Sequence, residues 1–232
     1  MIPVPTSGMV PADGEDRAGQ PQFRYPAVLV LMLAAVVFLI AAPSANWSRA
    51  LGIAIEGCAL VLTVATSRER ESVRLRKAIA LGVAMIAIVV LIALGIAPRW
   101  PTAAVAVVVT AGIPVALVRG LLRLLRREGV TLNAVAGSLA IYLSTGLIFA
   151  WIVGFIEQVS GIPYFAQHLS SNLGDKVYFS FTVLTTTGFG DLTPGTPAGH
   201  AVAIIEMLTG QLYLVTVIGL LIGNFAARRR PV

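Results

Sequence analysis

The chain has 232 residues, 57% of them hydrophobic and only 12% charged, against roughly 25% charged in a soluble domain. With a mean hydropathy of +0.86, too few polar groups remain to cover the apolar surface of a soluble globule, so the excess must face lipid. The net charge of +6 would suit nucleic acid if it formed a patch with interleaved aromatics, but the basic residues lie between hydrophobic runs, and no nucleic-acid partner is expected.

Residues 1–24 are rich in Pro, Gly and acidic side chains and lack the apolar core of a cleavable leader; they read as a disordered cytoplasmic tail. Apolar segments follow at Ala27–Ala45, Leu51–Thr66, Ala78–Ala97, Thr102–Val118, Leu132–Ile156 and His200–Ala227. Each is near the ~17–25 residues of a spanning helix. With six spans, the tail, Arg68–Lys77, Arg119–Arg127 and Arg228–Arg230 share one side and hold 14 of the 17 basic residues, leaving Arg49, Arg99 and Lys176 on the other. The lysine and arginine bias places both termini in the cytoplasm, with Trp47 and Trp100 at the outer interface. Cys58, the single cysteine, lies inside an apolar run and permits neither an intrachain disulfide nor a cysteine-based metal site. Glu56 in the second span has no partner that the sequence can name.

The fourth span carries no basic residue. Arg119, Arg123, Arg126 and Arg127 come after it, opposite Leu121, Leu122 and Leu125, the pattern of an amphipathic helix along the membrane surface. The expected organisation is therefore a tail (1–24), a four-helix membrane domain without gating charges (25–118), a cytoplasmic linker helix (119–131), a pore-like domain (132–227) and a basic cytoplasmic tail (228–232). Strong voltage dependence is not expected. The short stretch after Phe225 also leaves no room for a cytosolic ligand-binding domain in this sequence.

Glu157–Gly199 is too long for a turn and contains an apolar piece, Val177–Thr187, too short to span. A half-length segment between two full spans reads as a re-entrant helix and loop, which a bilayer tolerates only where the backbone is buried in protein or lines a watery path. At its end stands Thr185-Thr186-Thr187-Gly188-Phe189-Gly190-Asp191, preceded by Tyr178-Phe179-Ser180-Phe181 and followed by Thr193-Pro194. Backbone carbonyls can replace the hydration shell of a cation only if successive residues alternate in handedness, a freedom glycine supplies at 188 and 190.

This segment resembles the pore helix and selectivity filter of the potassium-channel family, usually written T-V-G-Y-G-D. Thr186 stands for the first Thr, Thr187 for the Val, Gly188 and Gly190 for the glycines, Phe189 for the Tyr and Asp191 for the Asp. The resemblance covers residues 132–227 and implies an all-α membrane protein: six transmembrane helices with a re-entrant pore helix and filter loop between the fifth and sixth. It implies potassium sites at the carbonyls of Thr186, Thr187, Gly188 and Phe189 and the Thr186 hydroxyl, with Gly190, Thr185 and Asp191 completing and supporting the filter. Phe189 would pack outward against the pore helix. One chain supplies one such strand where the family uses four, so a homotetramer in the lipid bilayer is implied. The pore helix is expected at Lys176–Thr185 with Asp175 as N-cap, its carbonyl end attracting cations.

In the last span, Gly210 reads either as a gating hinge or as a site of close helix packing. Gln211, Leu214, Ile218 and Ile222 recur at helical spacing and read as cavity lining or as subunit packing. Glu206, an ionisable group within the membrane, is expected near the pore helix as a filter support, the alternative being an interfacial carboxylate. His168 and His200 lack metal-ligand spacing and no nucleophile–base pair is visible, so no enzyme chemistry and no cofactor is expected beyond potassium as the permeant ion. The leading reading is a passive potassium-selective channel of a plasma membrane, with short loops that fit a bacterial one. A weakly selective cation channel, suggested by Thr187, and a non-conducting membrane subunit compete with it.

Overall fold

The computed structural model describes residues 25–43, 45–65, isolated positions between 79 and 94, 99–167 and 171–228. These residues are helical apart from connecting loops and a single β-bridge between Phe165 and Pro194. The helices are α1 (Tyr25–Ala41), α2 (Asn46–Ala65), α3 (Arg99–Glu128), α4 (Leu132–Ser160), α5 (Leu173–Leu184) and α6 (Pro197–Leu212). A π-helical turn at Tyr213–Ile218 then leads without a break into α7 (Gly219–Arg228). Among the described residues, three stretches are long and apolar enough to cross a membrane: Ala106–Arg126, Leu132–Ser160 and Pro197–Gly223. Of the six expected spans, Ala78–Ala97 lies, but for isolated positions, outside the described residues, as do the Arg68–Lys77 loop, the tail 1–24, His168 and residues 229–232.

Helix α4 is the centre of the fold. Thr131 caps its start by accepting from the Ala134 N–H, and Gly161, at φ +68°, ends it by donating to the Glu157 carbonyl. Ala134, Gly137, Ser138, Ala140, Ser144, Gly146, Ala150 and Gly154 are all buried along it. Small residues let neighbouring backbones approach, and in lipid, where apolar surface gains nothing from leaving water, such close packing is what holds helices together. α1 lays Tyr25, Val28, Met32, Ala35 and Leu39, spaced by three and four, into the same core as Leu117, Leu121 and Leu124 of α3 and Leu147 of α4. α3 runs unbroken through Arg119 to Glu128, 30 residues in all, or ~45 Å of helix, longer than the ~30 Å hydrocarbon core.

The 12 residues of α5 make only ~18 Å of helix, too little to cross. Its start differs from the expected Lys176–Thr185 with Asp175 as cap. Asn172 is the N-cap, accepting from the Asp175 N–H at 2.9 Å, while the Asp175 carboxylate reaches back to the Asn172 N–H at 2.8 Å. Asp175 is therefore the third helical residue of a capping box, which ties up two otherwise unpaired donors. The last helix starts earlier than expected, at Pro197, where proline costs no hydrogen bond, with Thr196 as cap.

Candidate functional site

After α5 the chain doubles back through Thr185–Asp191, every residue of which is exposed. Thr186, Gly188 and Gly190 have φ of +57°, +49° and +82°, whereas Thr187 and Phe189 between them stay at negative φ. Alternation of hand is the backbone pattern that lets successive carbonyls face one side. The N–H groups are drawn the other way: Thr186 donates to the Val183 carbonyl at 2.9 Å, and Thr187 and Gly188 both donate to the Thr182 carbonyl, at 2.9 and 3.1 Å. Among the described residues no protein donor reaches the carbonyls of Thr186, Thr187, Gly188 or Phe189, which remain free for a ligand. A left-handed threonine is a strained β-branched residue, costing on the order of 1–3 kcal/mol, and the hydrogen bonds to the end of α5 hold it there.

Neighbouring side chains brace the strand. The Phe189 ring lies parallel to Tyr178 of α5, centroids 6.3 Å apart and planes within 3°, and the nearby Asp191 carboxylate pushes the ionisation of the Tyr178 hydroxyl upward. Thr185 Oγ1 donates to the Phe181 carbonyl at 2.7 Å and stands 2.9 Å from Thr187 Oγ1. Beyond the filter, Ala166 donates to the Thr193 carbonyl and Gly195 to the Tyr164 carbonyl, at 2.8 and 2.9 Å, pinning the returning chain to the outer loop. The Tyr164 hydroxyl donates to the Gly199 carbonyl at 3.1 Å. Its ionisation is pushed upward by burial and by the proximity of Glu206, so it stays a donor.

Behind the strand, Glu206 of α6 is fully buried against α5. Its Oε1 meets the Ser180 hydroxyl, which also lies 2.6 Å from the Gly146 carbonyl of α4, so one polar node joins three helices. Glu206 Oε2 has no partner among the described residues. At the outer rim, Lys176 pairs with Glu157 at 3.3 Å and donates to the Ser171 carbonyl at 3.2 Å. Burial pulls the Lys176 ammonium below its usual range, and Glu157 opposes that pull.

A family pattern described as "Ion channel" matches residues 140–226, the stretch that contains this strand and the helices around it. "Two-pore potassium channel 1" of Arabidopsis thaliana is 32% identical over 74 residues, covering 32% of this chain and 18% of that protein. "Potassium voltage-gated channel subfamily A member 10" of Mus musculus and of Homo sapiens are each 32% identical over 85 residues, covering 34% of this chain and 16% of theirs. This part of the chain therefore matches an ion-channel family pattern and is similar in sequence to potassium channels. The chain spans less than a fifth of the length of these relatives, and no solved structure matches it.

Within the matched segment, Gly210 is a close-packing glycine. A Cβ there would stand 2.1 Å from the Leu184 carbonyl oxygen at the end of α5, an oxygen that Tyr142 of α4 also holds, at 3.2 Å. Three residues further on, the helix is π-wound, a form found mostly as single turns and often at functional sites. Tyr213 opens that turn, its ring tilted against Tyr142 with centroids 5.9 Å apart and its hydroxyl donating to the Ser138 carbonyl at 2.8 Å. Of the candidate cavity residues, Gln211 and Ile222 are exposed and Leu214 and Ile218 half-buried in the single chain. An apolar cavity of about 550 Å³ lies between the π turn and the end of α3, lined by Leu121, Leu125, Ile141, Tyr213 and Val217 among others.

Sequence reasoning assigned no role to Ser180, Tyr142 or Tyr178. A serine among the aromatics of Tyr178–Phe181 was the one available signal, since a small polar residue on an apolar helix needs a buried partner. The π turn left no mark in the residue pattern.

Proposed function

We propose that this chain is the subunit of a potassium channel that passes ions passively through a homotetrameric pore. The observation that carries the reading is the alternation of backbone hand at Thr186, Gly188 and Gly190, which leaves four successive carbonyls without protein donors. Stacked rings of such carbonyls, one strand per subunit, replace the hydration shell of a permeant cation. The carbonyls of Thr186, Thr187, Gly188 and Phe189 and the Thr186 hydroxyl hold potassium; Gly190 completes the loop, and Thr185, Asp191 and Glu206 keep it in shape. α5 aims its carbonyl end at the same place, adding roughly half an elementary charge of attraction per subunit.

The tetramer is supported by the inner helix, where Ile204, Ile205, Leu208, Leu212 and Val215 are all more than half exposed in the single chain. Neighbouring subunits and lipid would cover that surface. Gly210 keeps the inner helix against the pore helix, and Gln211, Leu214, Ile218 and Ile222 line the cavity and its cytoplasmic mouth. Arg119 to Arg127 lie in the last third of α3, after the uncharged run Thr102–Val118, and the absence of charge from that run supports a pore without strong voltage gating. The membrane is a plasma membrane, with both termini cytoplasmic.

Flux through proteoliposomes holding only the purified chain tests this. Potassium flux is expected, with a reversal potential near the potassium equilibrium value in opposed potassium and sodium gradients. Gly188→Ala and Gly190→Ala should each abolish it, because an L side chain in the left-handed region costs about 1–2 kcal/mol per residue, multiplied over four strands. A reversal potential near zero would leave a weakly selective cation channel. No flux from a correctly assembled protein would leave a non-conducting subunit.

A further inference from the structure

Away from the filter, a second carboxyl is sealed in the membrane domain. Glu56 of α2 is fully buried; its partners are Thr110 of α3 and Trp151 of α4. Glu56 lies ten residues from the Asn46 start of α2, Thr110 eleven from the Arg99 start of α3 and Trp151 nine from the Ser160 end of α4. At 1.5 Å per residue the three meet at one depth, about 15 Å from those ends. The meeting point joins two peripheral helices to the outer helix of the pore.

Counting protons at this node indicates its state. The Trp151 indole N–H donates to the carboxyl, 3.2 Å from Oε1 and 3.3 Å from Oε2. The Thr110 hydroxyl contacts Oε2 and also lies 2.7 Å from the Ala106 carbonyl. A hydroxyl has one proton to give, and a carbonyl has none. With the threonine proton on the Ala106 carbonyl, the Glu56–Thr110 contact requires a proton on the carboxyl. Ala106 and Trp151 belong to an apolar cluster with Ala50 and Ile53, where an ionised carboxylate would pay the full desolvation cost.

Among the described residues, the side chains shown against the Glu56 carboxyl are the neutral Thr110 and Trp151. On α2, Arg49 lies two turns away and Cys58 is exposed. α3 has no ionisable side chain between Arg99 and Arg119, and the span 78–97 has none at all. α4 carries Tyr142, nine residues from Trp151 and engaged with Leu184, and Glu157, engaged with Lys176. Pro114, four residues after Thr110, has no N–H for the Thr110 carbonyl, so this turn of α3 already lacks one helical bond.

We propose that Glu56 is an intramembrane proton-binding site that couples the peripheral helices to the pore. Protonated, it donates to Thr110, accepts from Trp151 and closes the α2–α3–α4 junction. When the proton leaves, Thr110 must turn from Ala106 to face the carboxylate, a bare charge is left among apolar side chains, and the junction loosens. Alkaline pH therefore lowers conduction. Only this last step rests on the channel reading.

Glu56→Gln decides the matter, because its amide can donate to Thr110 and accept from Trp151 as the neutral acid does, and it cannot ionise. Glu206 is a second buried carboxyl, so the readout is the infrared difference spectrum between wild type and Glu56→Gln near neutral pH, in which a protonated-carboxyl band belonging to Glu56 is expected. Between about pH 7 and pH 10, wild-type potassium flux and the thermal stability of the assembly should both fall, flux about tenfold, and Glu56→Gln, which still carries Glu206, should fall clearly less in both. Absence of the band, or a Glu56→Gln pH profile that superimposes on the wild type, would overturn the proposal. If the wild type passes no ions, the channel reading fails, and the infrared and stability measurements still decide the proton site.

Discussion

The residue that does most with least is Gly210. Its missing side chain lets the inner helix approach the Leu184 carbonyl so closely that a methyl group would overlap it. Leu184 ends α5, and the proposed filter strand follows it directly, so a displaced Leu184 is transmitted to Thr186 at once. Gly210→Ala is expected to destabilise the assembly by roughly 1–3 kcal/mol, the usual cost of overpacking, and to reduce flux more than it reduces assembly. Thermal melting and flux measured on the same preparation check this; an unchanged melting temperature would mean that the two helices can part without loss. Thr186 shows the limit of pattern reading at this scale. Glycines at 188 and 190 announce left-handed backbone, whereas a threonine at positive φ contradicts its own preference and is held by hydrogen bonds from outside the residue.

At the scale of elements, the pore helix is the one whose ends matter. It has only 12 residues, and a helix of that length is marginal by itself, so the Asn172–Asp175 capping box contributes more to its order than it would to a long span. Asn172→Ala should cost about 1 kcal/mol, read as a lower melting temperature, whereas Asn172→Ser should restore most of it; equal effects of the two would show that the cap is dispensable. A short apolar segment followed by a threonine- and glycine-rich run could be read as a half-helix from the residues. The identity of the cap could not, because Asn172 and Asp175 are both good cap residues and the choice depends on where the chain turns in from the outer loop. The π turn at Tyr213–Ile218 is also an element-scale result, anchored by Tyr213 to Ser138 on a different helix.

For the whole molecule, the largest consequence is assembly. The inner helix is the least covered of the long helices, its apolar side chains open on the side away from α4 and α5. In mild detergent the protein is expected to migrate as four chains of 24.4 kDa. A folded monomer, with the helices intact by circular dichroism, would argue against any pore built from identical strands. The peripheral helices meet the pore through the core shared by α1, α3 and α4 and through the Glu56 node, so a stimulus acting on them has a direct route to the outer helix of the pore.

By itself the sequence determined that the chain is a helical membrane protein, where its apolar runs lie, and which short strand can present carbonyls to a cation. Those properties follow from composition, from the length of uncharged runs and from the freedom of two glycines, all local quantities. Tertiary structure alone decided that Glu206 meets Ser180, that Glu56 meets Thr110 and Trp151, and that Gly210 serves close approach to Leu184. Such pairings join residues 26 to 95 positions apart, and a buried polar group states in sequence only that it needs a partner, since what satisfies it depends on how the helices rotate and pack.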